Sequence, residues 1–250
     1  MFKWLLKKNG GLAKLVTSNH HIQKKQFNRM ISVAEEIFKK AEEHQVKTNY
    51  KHPILNYVKL LGMNLQTDYI TNLLYDDDHE DIQKYPSISP WLPFFDLSLK
   101  VSLDGKNLHD MIFCKVENRV IEVDLNQDLV LPWPWNFSRF VNSISSIGVS
   151  RPWGEWKQDT SNHDIQILLP MGICFVGGGN HSIASGIIYG EGKLHSEDIY
   201  DFSEIYKYVY TDGLEYRRVE DGSKISDVKN LEFAVIFEVG RMMSERELSR

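Results

Sequence analysis

The residues with the clearest chemical potential lie in the run Ile173-Cys174-Phe175-Val176-Gly177-Gly178-Gly179-Asn180-His181-Ser182-Ile183-Ala184-Ser185-Gly186-Ile187. An apolar strand empties into three glycines, then a polar triplet, then a helix of small residues. This order sets backbone N–H groups at a helix start, unobstructed by Cβ atoms, where the helix dipole favours an anion. Gly177, Gly178, Gly179, Asn180, His181 and Ser182 are therefore candidate phosphate ligands. Helical offsets align Ser185 with His181 and Ser182, and set Ile183, Ala184, Ile187 and Ile188 on the buried face. An imidazole near the positive end of a helix dipole tends to stay neutral, so His181 is a candidate general base or hydrogen-bond donor.

A second polar group, Asp159-Thr160-Ser161-Asn162-His163-Asp164, precedes the strand that leads to this loop. A hairpin across Pro170-Met171-Gly172 would return the chain to its start and bring His163 and Asp164 beside Gly177–His181. His163 would then be a second candidate base, with Asp164 assisting proton transfer. Asp159 and Asp164 would be candidate ligands for Mg²⁺ on a bound phosphate. The competing reading is a polar turn that only enters a strand. Trp133, Trp135, Trp153 and Trp156 cluster with Arg139 and Arg151, and indoles beside guanidinium groups can stack a base and clamp its phosphate. The same side chains serve as core and loop anchors in many proteins.

Three familiar fingerprints do not fit. No Lys follows the glycines as a P-loop requires, and Ser182 stands where a GxGxxG starting at Gly177 needs glycine. Ser185 lacks the flanking glycines of a nucleophile elbow. His163, His181 and His195 lack zinc-ligand spacing.

The glycine loop resembles the signature of the ParB/sulfiredoxin-like superfamily, in which a strand, a Gly-rich turn and an Asn/Cys-His-Arg-type triplet open a helix that holds nucleotide phosphates. The resemblance covers roughly residues 119–200. Val120–Leu125 resembles the entry strand, and Phe137–Gly148 the short helix with Ser-Ile and Gly that follows. It implies a nucleotide site at Gly177–Ser182. Ser182 replaces the usual Arg, so Arg139 or Arg151 would have to supply the guanidinium. Cys174 does not occupy the triplet position of a sulfiredoxin-like thiol, which disfavours sulfinate reduction. The Gly-Gly-Asn-His-Ser and Gly-Glu-Gly pattern is also similar to an uncharacterised family of bacterial and phage proteins, which would supply no activity.

The elements that must position these residues are legible in outline. The 250 residues suit one large domain, and a 42% hydrophobic, 25% charged composition is that of an ordinary globular protein. A net charge of −5 argues against a general nucleic-acid coat, and two cysteines without CxxC spacing argue against a disulfide framework. No apolar run approaches the roughly 18 residues of a membrane span, and Met1–Lys8 does not read as a signal peptide, so the expected location is cytoplasmic without membrane contact.

Residues 1–75 read as an N-terminal helical region with a basic face, which could touch nucleic acid or anionic lipid or simply be solvated. Phe27 to Ala41 carries an amphipathic stripe. A second stripe after Pro53 is expected to break near Gly62–Asn64, with a third short piece at Tyr69–Leu74. Residues 76–95, with the acidic run Asp76–Asp81 and three prolines, read as a linker or crossing loop. Residues 96–240 read as an α+β core: strands at 97–103, 111–116 and 119–125, the 165–176 pair, a hairpin over 205–219, and a final apolar strand at Leu231–Val239. Residues 241–250 read as a charged tail. The expected fold is α+β, with the N-terminal helices packed on a mixed sheet. The expected function is nucleotide binding with possible hydrolysis of a phosphoanhydride or phosphodiester, His181 or His163 acting as base. The alternatives are a non-catalytic module that senses or sequesters a nucleotide, and a protein-interaction scaffold whose loop is only structural.

Overall fold

The computed structural model describes residues 2–46, 51–75, 94, 96, 98–107 and 115–248, with side chains in the first helix from Asn19 onward. The acidic run 76–81, the prolines 86, 90 and 93, and residues 111–114 of one expected strand lie outside the described residues.

The chain is mixed α+β. Helix α1 (Phe2–Glu43) buries Phe27, Ala34, Phe38 and Ala41, a three- and four-residue spacing that keeps one stripe inward. Helix α2 (Ile54–Thr71) starts directly after Pro53, where the His52 ring nitrogen Nδ1 accepts the Ile54 N–H at 3.1 Å. It runs unbroken through Gly62–Asn64, against the expected interruption, and a 3₁₀ turn at Asn72–Leu74 follows. Gly62 is there for proximity rather than for a break, because a Cβ would strike the Leu129 side chain.

Strand β1 (Ile121–Asp124) pairs antiparallel with β5 (Lys193–Ser196). The central sheet contains β2 (Val130–Leu131), β3 (Asp164–Leu169), β4 (Ile173–Gly178) and β6 (Ile199–Asp201) in the order β2-β4-β3-β6. It is mixed: β3 and β4 are antiparallel, while β2 runs parallel to β4 and β6 parallel to β3. The hairpin between β3 and β4 turns at Pro170–Gly172, with Gly172 at φ 69°. A third sheet, β7 (Val209–Thr211), β8 (Glu215–Arg218) and β9 (Lys224–Asp227), is antiparallel throughout. The expected 205–219 hairpin is its first pair, shortened because Ser203–Lys207 forms a 3₁₀ turn.

Residues 98–104 make no strand; Lys100 and Asn107 form a single bridge around the Asp104-Gly105 turn. The larger correction concerns Leu231–Val239. This segment is not a strand but the front of helix α5 (Leu231–Glu245), which continues through Arg241. Asn230 caps it by accepting the Phe233 N–H at 2.9 Å, and residues Phe233–Phe237 are all buried. A helix covered on every side carries no apolar/polar period, so its apolar run reads like a buried strand.

Two cores lie on opposite faces of the central sheet. One joins α1, α2 and α5 to Leu168, Ile173 and Phe175. The other joins β1, β5 and the helix after the glycines to Ile165, Ile167, Cys174 and Val176. Among the described residues no helix is long and apolar enough to cross a membrane.

Candidate functional site

Strand β4 ends at Gly178, Gly179 takes the left-handed conformation (φ 76°, ψ 22°), and helix α4 (Asn180–Tyr189) begins at the next residue. The expected strand–glycine–helix geometry is present, and Gly177–Asn180 and Ser182 reach the surface while the His181 side chain is buried. The glycines serve different ends. Gly178 needs no left-handed backbone, but its Cβ would lie 2.5 Å from the Asn162 carbonyl oxygen. Gly179 combines a positive φ with a Cβ position that the His163 ring already occupies.

Facing the loop is helix α3 (Phe137–Ser146), capped by Asn136, whose side chain accepts the Arg139 N–H at 2.9 Å. A cleft of about 400 Å³ lies between them. Gly177–Ser182 forms one wall, and Arg139, Asn142 and Ser143 contribute from α3. Trp135, Trp153 and Asn162 complete the lining. The two indoles are open to solvent, 42% and 60% exposed, and the Arg139 guanidinium sits 5.1 Å from the Trp135 ring centre. Asn142, Ser143 and Asn162 were not among the expected site residues. The first two follow Arg139 at helical offsets of three and four, a signal already present in the sequence.

The polar triplet is anchored to the cleft's other walls. Asn180 Oδ1 accepts the Trp133 N–H at 2.6 Å. His181 Nε2 accepts the backbone N–H groups of Trp135 and Asn136 at 3.3 and 3.0 Å, so that nitrogen carries no proton and its lone pair is engaged. The imidazole is buried and meets the Trp135 ring edge-on, 5.4 Å between centres. It ties α4 to the entry of α3.

His163 does not line the cleft. It stacks on Trp156 (5.0 Å between centres), packs behind Gly179, and hydrogen-bonds the cleft wall at Ser182, whose Oγ is 2.7 Å from Nε2. Its Nδ1 accepts the Asp159 N–H at 2.9 Å, so in the neutral ring the proton is on Nε2 and points at Ser182. Ser182 in turn donates to the Gly179 carbonyl at 3.0 Å. Burial holds the His163 pKa below the ordinary imidazole value, the nearby Asp159 carboxylate opposing this more weakly. The donation therefore runs from His163 to Ser182 and on to the Gly179 carbonyl, the wrong direction for a histidine that would activate a serine. The hairpin does bring His163 near the loop as expected, but the two histidines do not share one pocket.

Other expected site residues fall elsewhere. Ser185 is fully buried and donates to the His181 carbonyl at 3.0 Å, while Ile188, expected to be buried, is 47% exposed. Arg151 lies outside the cleft: its guanidinium donates to the Ile144 and Ile147 carbonyls at the end of α3 and stacks on Tyr189. Asp159 accepts from the N–H and hydroxyl of Ser161, which lower its pKa. Asp164, together with His163 and His195, lines a separate depression. Asp159 is not part of the cleft lining, whereas the Asp164 carboxylate lies against Gly177, where an added Cβ would meet its Oδ2, so the two carboxylates are not brought together on the cleft as a pair. No group of three or more His, Cys, Asp or Glu side chains among the described residues is placed to hold a metal ion. Trp156 is not a free platform either; its Nε1–H donates to the Ser182 carbonyl at 2.7 Å.

Fold and site together define an α+β protein whose mixed sheet delivers a glycine-rich strand-to-helix loop to a surface cleft walled by an arginine and two indoles. Within that class the chain belongs to a family of unknown function (DUF6710), matched over residues 13–250. No curated protein and no solved structure matches it.

Proposed function

We propose that the protein is a nucleotide-binding module that holds a ligand phosphate at the Gly177–Ser182 loop and does not turn the nucleotide over. The observation that carries this reading is the composition of one cleft: the start of α4 on one wall, Arg139 opposite it, and the solvent-exposed indoles of Trp135 and Trp153 beside both. The first-turn N–H groups of a helix have no intrahelical partner and suit phosphate oxygens. A guanidinium adds charge, and indoles accept the face of any base. The resemblance to the ParB/sulfiredoxin-like loop agrees with this reading, with Arg139 serving in place of the arginine that Ser182 replaces.

Binding is favoured over hydrolysis because a general base must reach the cleft with a lone pair. His181 Nε2 is engaged by two backbone N–H groups, and the His163 Nε2 proton is directed at Ser182. Amide and indole resonances provide the test. Titration with a nucleotide panel should shift the N–H signals of Gly178–Ser182 and the indole N–H signals of Trp135 and Trp153, with no product formed on prolonged incubation. Shifts confined to another surface, or none, would overturn the reading in favour of a scaffold. Nucleotide hydrolysis would restore the catalytic alternative.

A further inference from the structure

Accepting the phosphate-cleft reading, we infer that its ligand is a nucleoside monophosphate bound without a divalent cation. Three properties of the cleft carry this. The first is charge. Arg139 is the one formally charged side chain among the described residues lining the cleft. With the roughly half-charge of a helix N-terminus it offers about one and a half positive charges. A single terminal phosphate carries about −1.5 to −2 near pH 7, and so is matched. A triphosphate carries more than twice that, and is normally met by Mg²⁺ together with lysines or several arginines.

The second property is that the described lining of the cleft carries no carboxylate pair. Mg²⁺ bound to phosphates ordinarily keeps one or two protein carboxylates in its shell. No Asp or Glu is among the described residues that line the cleft; Asp164 lines the neighbouring depression with its carboxylate against Gly177, a single carboxylate at the edge of the phosphate wall, and Asp159 is used by Ser161. The third property is size and lining. About 400 Å³ lies near the small end of the roughly 300–1,000 Å³ range of small-molecule sites, room for one nucleotide rather than a strand. Beyond the phosphate wall the cleft offers two open indoles and the side-chain amides of Asn142 and Asn162. An amide carries both a donor and an acceptor, as a base edge does.

Calorimetry on the purified full chain tests this. The ligands are the four nucleoside 5′-monophosphates, their triphosphates with and without Mg²⁺, the free nucleosides and inorganic phosphate. At least one monophosphate should bind about 10-fold or more tightly than its nucleoside, its triphosphate and inorganic phosphate, with Mg²⁺ leaving it unchanged. Arg139→Gln should weaken the monophosphate by about 10- to 100-fold, the loss expected for one charge-assisted contact, without changing the melting temperature. A triphosphate that binds most tightly with Mg²⁺ would overturn this inference and leave the phosphate-cleft reading standing. So would inorganic phosphate equal to the best monophosphate, or an affinity indifferent to Arg139→Gln. Failure of every nucleotide to bind would end both.

Discussion

Along β4, Ile173 and Phe175 enter one core while Cys174 and Val176 enter the other, so a single strand feeds two very different faces of the central sheet. On the first face three helices pack together, and Phe237 of α5 meets a nest of rings from the turns and the third sheet. Phe237 alone lies within 5.1–6.0 Å of Phe94, Phe202, Tyr206 and Tyr216, centre to centre. On the second face the packing is smaller and, Trp156 and Cys174 apart, aliphatic, and the helix that covers it begins at a surface cleft. There the order comes from polar ties: Asn180 to Trp133, His181 to the entry of α3, His163 to Ser182, and Trp156 to the Ser182 carbonyl. One face is held by volume, the other by direction. A packed face tolerates no opening, whereas a polar-tied face can leave backbone groups turned toward a ligand.

The largest test of this contrast is Phe237→Ala. The side chain is fully buried, and the cavity it leaves should cost about 3–5 kcal/mol of unfolding free energy in equilibrium urea denaturation. A loss below about 1 kcal/mol would mean that the aromatic face is not what supports the sheet. Next is Gly178→Ala, which touches the polar-tied face. The added methyl meets the Asn162 carbonyl, and relief requires the β3–β4 end to open, at a cost of about 1–3 kcal/mol with loss of cleft binding. A stable variant that binds normally would show that this close approach is dispensable. His181→Ala belongs here as well. Because His181 anchors the entry of α3, its removal should lower stability along with binding, rather than binding alone.

A smaller effect is expected from pH. The His163 imidazole is held neutral in the fold, with its pKa below the ordinary value, while the unfolded chain titrates near 6.5. The unfolded state therefore binds more protons as pH falls. The stability associated with the neutral ring is complete above about pH 6.5, and is lost as pH drops from there through the depressed folded value. His163→Gln should flatten the dependence of unfolding free energy over that window. His52, lowered by burial and then by the Arg246 charge, acts in the same direction, so some slope should persist. An unchanged slope in the variant would remove His163 as a source of acid sensitivity.

How far these features were readable from residues alone follows the same division. The β3–β4 hairpin and the start of α4 were legible because Pro170, Gly172 and Gly179 punctuate the chain locally. Helix α5 was not, because burial on all sides erases the period that separates helix from strand. Ser185 shares a helical row with His181 and Ser182, yet its hydroxyl bonds back to the preceding turn instead of facing the cleft. The separation of His163 from His181 depends on how one ring fits against the bare backbone of Gly179, a tertiary detail that spacing does not encode. Arg139 lines the cleft and Arg151 does not for a related reason: both flank the tryptophans in sequence, but the carbonyls at the end of α3 capture Arg151.

The smallest expected stability effect carries the most information about function. Trp153 is 60% exposed at the rim of the cleft, so Trp153→Ala should change unfolding free energy by no more than about 0.5 kcal/mol. Base–aromatic stacking is worth about 1–3 kcal/mol, so the same substitution should weaken nucleotide binding by about 5- to 150-fold if the indole carries the base. Trp156→Ala is the matched control. That indole is buried, stacks on His163 and donates to the Ser182 carbonyl, so its loss should be read first in stability. Denaturation and calorimetry on the two variants separate a rim platform from a structural ring. If Trp153→Ala leaves affinity intact, the base is not held at the rim, and the phosphate wall would have to account for recognition without it.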